Sequence, residues 1–221
     1  MISELINIFG TKTKALEVLY LLEGLKPVVR HGFYENELPR IEEFCRENGL
    51  FIAKSPYKVV IVDVKEGRYS NKGIKVKTED PRQGMLFIYI SKDQEKAVLA
   101  SRYEDKGSHK EVGLLLGYPL CCIDFFIKHK EEQSIAKNDY IEPILNNSQG
   151  NIFPFYTNIF KKQFDVTLLN HFPCSLKCES SIELAKKHLE IIKKYDPSLA
   201  EYFVNRLKCK INVEGREVEF F

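Results

Sequence analysis

Tyr57–Val64 (YKVVIVDV) and Met85–Ile90 (MLFIYI) decide the fold class. Both runs are dense in β-branched and aromatic side chains, which fit a pleated, half-buried surface. Phe51-Ile52-Ala53 and Ile74-Lys75-Val76 are shorter strand candidates beside them. The intervening Glu66–Gly73 and Thr78–Gly84 hold the Gly, Asn, Asp and Pro of turns. Short strands joined by short turns predict a small, mostly antiparallel sheet.

Outward from that sheet the pattern turns helical. Lys12–Glu23 is apolar enough for a buried helix, stopped by Gly24 and Lys26-Pro27. A second helix is expected over Glu37–Asn48, with Asn36 as its cap and Leu38, Ile41, Phe44 and Cys45 at helical spacing. These first helices should pack on one face of the sheet. After Ser91, read as a cap, the chain is expected to be helical to about Leu145. Ser108 and Glu111 have capping-box spacing, Gly117 breaks that helix, and Pro119 opens the next, Leu120–Lys130. Asn146–Gly150 reads as a loop, Val166–Leu169 as a short strand and Glu179–Tyr195 as an amphipathic helix. A further helix runs from Asp196-Pro197 to near Leu207. Cys209–Val213 and Arg216–Phe221 predict a hairpin around Glu214-Gly215. The class is α+β, with a helix-plus-sheet region over 1–90 and a mainly helical region over 91–221, or one continuous domain holding both.

Composition narrows the function classes. The 221 residues are 44% hydrophobic, with 15 Phe and 11 Tyr, ample for a real core. Basic residues number 33 against 31 acidic, a net charge of +2 that creates no field for nucleic acid or a membrane surface. Lys65, Arg68, Lys72, Lys75 and Lys77 form a basic run near the sheet, a pattern more often a solvated face than a nucleic-acid site. No apolar run approaches the roughly 18–20 residues that span a bilayer. Met1–Leu5 has no basic stretch leading into an apolar one, so no signal peptide is expected and a cytoplasmic location is. Six cysteines in such a chain point to metal binding, redox chemistry or burial rather than to a secreted disulfide framework.

Four of them stand in two matched segments, Leu116–Phe126 (LGYPLCCIDFF) and Asn170–Ser181 (NHFPCSLKCESS). Each is a loop with a proline, then cysteines, then the first turns of a helix. A helix start presents unpaired N–H groups and partial positive charge. A thiol placed there ionises more easily, and thiolate is the form that binds metal or attacks. The two loops are therefore expected to meet. Cys121, Cys122, Cys174 and Cys178 are candidate ligands of zinc or an iron–sulfur cluster. Adjacent helical residues project about 100° apart, so Cys121 and Cys122 need not face one centre. His171, three residues before Cys174, is a candidate base or supporting group, and Asp124 a further candidate or a plain helix-start carboxylate.

Two other readings stay open. A cysteine from each segment could form a redox-active or nucleophilic dithiol, with His171 assisting. Alternatively the cysteines are buried or bridged in a binding module without chemistry, since free Cys is among the most buried residue types. Cys45 and Cys209 lie in ordinary amphipathic segments and are read as bystanders. Cys174-x3-Cys178-x2-Ser181 has the spacing of the radical S-adenosylmethionine cluster loop, but Ser181 stands where the third ligand is required, which rejects that family.

The segments LGYPLCCIDFF and NHFPCSLKCESSIELAKKH resemble the signature of an uncharacterised, mainly archaeal family, domain of unknown function 483, over roughly residues 92–195. The resemblance implies that the two cysteine segments act together in an archaeal cytoplasmic protein. It brings no activity with it.

Overall fold

The computed structural model describes residues 1–63, 72–136, 140–213 and 215–221. Its elements run α1 (Ile2–Phe9), α2 (Lys12–Leu22), β1 (Val28–Phe33), α3 (Leu38–Glu47), β2 (Phe51–Asp63), β3 (Lys72–Lys77) and β4 (Met85–Ser91). Then follow α4 (Gln94–Asp105), α5 (His109–Leu115), α6 (Leu120–Ala136), α7 (Ile141–Asn146), β5 (Ile152–Phe153), α8 (Glu179–Tyr195), α9 (Pro197–Leu207), β6 (Cys209–Val213) and β7 (Arg216–Phe220). The class is α+β, as the strand runs predict. Val64, the Glu66–Asn71 part of the first turn, Lys65 and Arg68 of the basic run, and Glu214 lie outside the described residues.

The main sheet has the order β1-β4-β2-β3, antiparallel throughout. The two runs expected as separate strands, 51–53 and 57–64, are one strand, β2. Pro56 suggests a break because it has no N–H for the ladder. Ser55 closes the gap: its hydroxyl accepts from the Phe87 N–H at 3.0 Å and donates to the Tyr57 carbonyl at 2.5 Å. The register shifts there, between Lys54 and Lys58.

Edge strand β1 escapes the sequence pattern because Arg30, His31 and Gly32 interrupt its apolar residues. Arg30 is tolerated there because its guanidinium lies over the Phe87 ring and forks onto the Glu104 carboxylate of α4, Nε to Oε2 at 2.6 Å. Alternation then sorts the faces. Val29, Phe33, Ile88 and Ile90 enter the main core with α1, α2 and α3. Val28 and Tyr89 point the other way, against Ala100 of α4 and Val112 and Leu116 at α5. Both faces are therefore covered, the first by the N-terminal helices and the second by α4 and α5.

Several ends differ from expectation for local reasons. Residues 35–37 form a 3-10 turn before α3, and Glu37 reaches back to the Tyr34 N–H at 2.9 Å, so Asn36 is not the cap. Asp93, not Ser91, caps α4; the Ser91 hydroxyl donates to the Pro27 carbonyl at 2.8 Å beside β1 and accepts from the Asp93 N–H at 3.1 Å, which ties the start of α4 to the sheet. Ser108 precedes α5 without a side-chain cap bond. Val166–Leu169 is buried but forms no strand. The hairpin β6–β7 forms as expected, and β5 adds to it in parallel.

The main core draws on residues from Ile2 to Phe220. It contains a buried ion pair, Lys26 Nζ to Glu17 Oε2 at 2.5 Å. Burial opposes the Glu17 charge, but the Lys26 ammonium holds the carboxyl below its usual range. Nearby His188 stacks on Tyr20 at 3.9 Å and donates from Nδ1 to the Leu168 carbonyl at 2.6 Å.

Burial pulls His188 from its ordinary 6.5 to about 4. The unfolded chain takes up this proton first, so the stability held by neutral His188 is complete above pH 6.5 and lost as pH falls toward 4. His31 and His171, each brought to about 3 by burial, act with the same sign. Thermal melts should therefore fall steeply between about pH 6.5 and 4.5. His188→Phe should begin less stable at neutral pH, having left the Leu168 carbonyl without its donor. Its profile should be flatter across that window, by on the order of 3 kcal/mol. A slope unchanged from the parent would place the acid sensitivity elsewhere.

Candidate metal centre

Two helix starts build the site. Gly117 ends α5 with φ 74°, a left-handed conformation in which an added Cβ would also lie 3.2 Å from Pro27 Cδ. The chain then turns so that the Pro119 carbonyl accepts from the N–H groups of Cys122 at 2.9 Å and Ile123 at 3.0 Å. Cys121 and Cys122 thus fall in the first turn of α6. In the second segment Cys178 is the N-cap of α8, its carbonyl accepting from the Ile182 N–H at 2.9 Å.

The loop from Cys174 to Cys178 is held by Asn147, Ser148 and Thr157. Leu176 is fully buried; its N–H donates to Ser148 Oγ at 2.8 Å and its carbonyl accepts from Thr157 Oγ1 at 2.7 Å. Asn147 Nδ2 donates to the Cys174 carbonyl at 2.7 Å. A buried leucine tied at both backbone groups fixes the cysteines on either side of it.

These constraints bring the sulfurs together. Cys121 Sγ lies 3.9 Å from Cys122 Sγ and 3.7 Å from Cys178 Sγ, with Cys122 and Cys178 3.6 Å apart. With Cys174 included, all four lie within 4.8 Å of one another, an arrangement able to hold a metal ion. The adjacent pair converges despite its helical angular offset. Cys122 and Cys178 are buried, Cys174 is half-buried and Cys121 is exposed, so the cluster opens to solvent on one side. All six cysteines are free thiols.

Charge is unevenly held in this cluster. Sulfur–hydrogen donors from Cys122 and Cys174 hold the Cys178 thiol far below its ordinary range. Donation to Cys174 and Cys178, with burial, drives Cys122 far above it. Cys174 is drawn down by Cys122 but pushed up by Cys178 and burial, and ends at about 12. Ionising one thiol of the four therefore makes its neighbours harder to ionise.

His171 joins the cluster indirectly. Its Nε2 lies 2.9 Å from Ser181 Oγ, which lies 3.2 Å from Cys122 Sγ. The His171 ring also packs on Tyr118, centroids 5.0 Å apart. Asp124 is exposed on α6. Cys45 is buried in the main core, where its thiol is pushed up to about 12, and Cys209 sits beside Asn158 at 3.5 Å. His129 packs on Phe125. Ser181 is the group that residue-type reasoning passes over. Its signal is its spacing, one helical turn after Cys178 on the same face of α8.

Ser181 is fully buried between a sulfur and an imidazole. Ser181→Ala strands the His171 Nε2 and removes a donor to Cys122. It should lower unfolding stability by about 1–3 kcal/mol in denaturant titrations. For an ion held by the cluster, competition with a chelator should show affinity reduced roughly 10–100-fold by this substitution. Unaltered affinity would reduce Ser181 to a packing role.

Comparison with known proteins adds little beyond this geometry. No curated protein and no solved structure matches the chain. Residues 97–202, from α4 into α9, match the model of a family described as a protein of unknown function (DUF483), and this span contains all four clustered cysteines.

Proposed function

We propose that the chain binds one zinc ion through the thiolates of Cys121, Cys122, Cys174 and Cys178, and that the ion stabilises the fold. The supporting observation is the sulfur spacing. Zinc holds four thiolates tetrahedrally at about 2.3 Å, which sets neighbouring sulfurs about 3.8 Å apart. The three separations around Cys121, Cys122 and Cys178 are 3.6–3.9 Å. An iron–sulfur cluster distributes its thiolates over different irons and needs them further apart than a single ion does. Four protein ligands also close the coordination shell, the mark of a structural ion; a catalytic zinc keeps one position open. A divalent ion would supply the charge that lets the remaining thiols ionise.

Held there, the ion would pin the start of α6 to the start of α8, segments more than fifty residues apart in sequence. His171 and Ser181 would orient Cys122 from behind. The Cys174 N–H, 3.3 Å from Cys122 Sγ, would offset part of the thiolate charge.

Metal analysis of anaerobically purified protein should find one zinc per chain and no visible absorption. Cys174→Ser and Cys178→Ser should lose the ion and several kcal/mol of stability. Cys45→Ala and Cys209→Ser should retain it. Iodoacetamide should label the four cysteines only after chelation. A brown protein carrying iron and sulfide would replace zinc with a cluster. Rapid labelling of metal-free, folded protein would instead favour the dithiol.

A further inference from the structure

A cavity of about 680 Å³ lies between β1, the start of α2, α5 and the stretch from Lys162 to Phe172. That volume suits a small organic ligand. Its lining divides by chemistry. Val112, Leu116, Ile123, Phe126 and Phe172 give one apolar side. Thr13, Lys14, His31 and Lys162 give a polar, basic one.

Two independent observations make the basic side a binding surface. The first is unmet hydrogen bonding. Thr13 Oγ1 and His31 Nε2 are buried atoms without a hydrogen-bond partner among the described residues, and both residues line the basic side of this cavity. Buried polar atoms are nearly always paired, so two on one wall mark a place where something polar belongs.

The second is a charge imbalance. Each acid at or near the wall is already engaged, including Glu37, whose charge acts on Lys14 but which takes Arg40 and the Tyr34 N–H. Glu104 takes Arg30 and the Tyr89 hydroxyl, the latter at 2.5 Å. Asp165 accepts the N–H groups of Lys12 at 2.6 Å and Thr13 at 2.8 Å, with the Lys12 ammonium at 3.6 Å. Glu17, beyond the wall, is taken by Lys26. Lys14 donates to the Gly32 carbonyl at 2.8 Å and lies over the Phe33 ring at 4.0 Å, with no ion pair among the described residues. The Lys162 ammonium has neither a hydrogen bond nor an ion pair among the described residues. Burial lowers the pKa of both lysines, as expected for cations short of countercharge, and His31 lies within the field of both. Water satisfies a neutral orphan atom but does not neutralise an ammonium.

We propose that this cavity binds a small organic oxyanion, a carboxylate or phosphate ester on an apolar ring. Its charged end sits among Thr13, Lys14, His31 and Lys162, and its body lies against Ile123, Phe126 and Phe172. Cys122 and His171 also line the cavity, so the ligand rests against the back of the cysteine cluster without needing an open position on a metal.

Calorimetric titration of the full chain, purified without chelator, tests this with benzoate, phenyl phosphate and uncharged benzyl alcohol. At least one oxyanion should saturate with a Kd of about 1 mM or tighter, and benzyl alcohol should bind at least about tenfold more weakly. Benzoate against phenyl phosphate identifies which oxyanion the site takes. Lys162→Met should weaken the better oxyanion by about tenfold. Lys210→Met, on the small sheet, should leave it unchanged. Should Lys162→Met fail to fold, Thr13→Val provides the same comparison, with an expected loss of about threefold or more. Metal content of each variant separates failure of this site from failure of the cysteine cluster. The proposal is overturned if neither oxyanion saturates, if benzyl alcohol binds as tightly, or if the cavity substitutions leave Kd unchanged in folded protein.

Discussion

Two thiolates 3.7 Å apart, the separation of Cys121 and Cys178, repel each other by several kcal/mol in a partly buried setting. Cys121, Cys122, Cys174 and Cys178 therefore carry more than one negative charge together only beside a cation or several strong donors. The fold supplies few donors: the Cys174 N–H, the Ser181 hydroxyl and N–H, and the fields of two helix starts. They favour charge at Cys178, and Cys122 is pushed the other way. The surrounding structure nevertheless holds all four sulfurs in place, through Gly117, Pro119 and the buried Leu176. A loop so firmly fixed around groups that repel when ionised is the setting in which a divalent ion gains most from binding.

The same economy governs charge on the opposite side of the cluster. Lys26 is a buried cation and Arg30 a half-buried one, and each is matched by its own carboxylate, Glu17 and Glu104. Breaking the buried Lys26–Glu17 pair would leave an uncompensated charge, which is strongly destabilising, and Glu104 is held by Arg30 and Tyr89, so neither carboxylate is free for other tasks. Asp165 is similarly committed, bound to the first N–H groups of α2 from a left-handed backbone position. Lys14 and Lys162 line the cavity and form no ion pair among the described residues, although Glu37 and Asp165 act on Lys14 and Glu17 on Lys162 through space. Because Cys122 and His171 belong to both the cluster and the cavity wall, the position of α6 shapes both. A change that displaces the start of α6 should be felt in the cavity even where no lining residue is altered.

Much of the architecture can be read from local pattern, and the misreadings have physical causes. Met85–Ser91 is evident because its β-branched and aromatic residues pack on both faces of an interior strand. Strand β2 looks divided because Pro56 cannot join the ladder, and sequence pattern does not show that the Ser55 hydroxyl substitutes. Strand β1 is hidden because Arg30 depends on Glu104, seventy-four residues away. Caps are misplaced where several polar residues compete: Ser91 bonds Pro27 beside the neighbouring strand β1, leaving Asp93 to cap α4. The cysteine loops are legible because each carries its own proline, thiols and helix start within a dozen residues. The cavity is not, because Lys14, His31 and Lys162 come from separate elements with no common spacing.

Ser181 shows how a departure from one pattern can serve another. As a third ligand in the Cys174-x3-Cys178 run it fails, because a neutral hydroxyl is a poor substitute for thiolate. Buried one turn after Cys178, however, it can donate to the Cys122 sulfur while accepting from His171 Nε2. A thiol at that position would donate weakly and accept weakly, leaving the imidazole without an adequate partner in a site that water reaches poorly. It would also place a fifth sulfur beside four already crowded ones. The hydroxyl lets His171 remain neutral and oriented, which burial already favours, and passes that orientation to Cys122. The serine that rules out the radical-enzyme loop is thus the residue that best explains how the buried half of the cluster is supported.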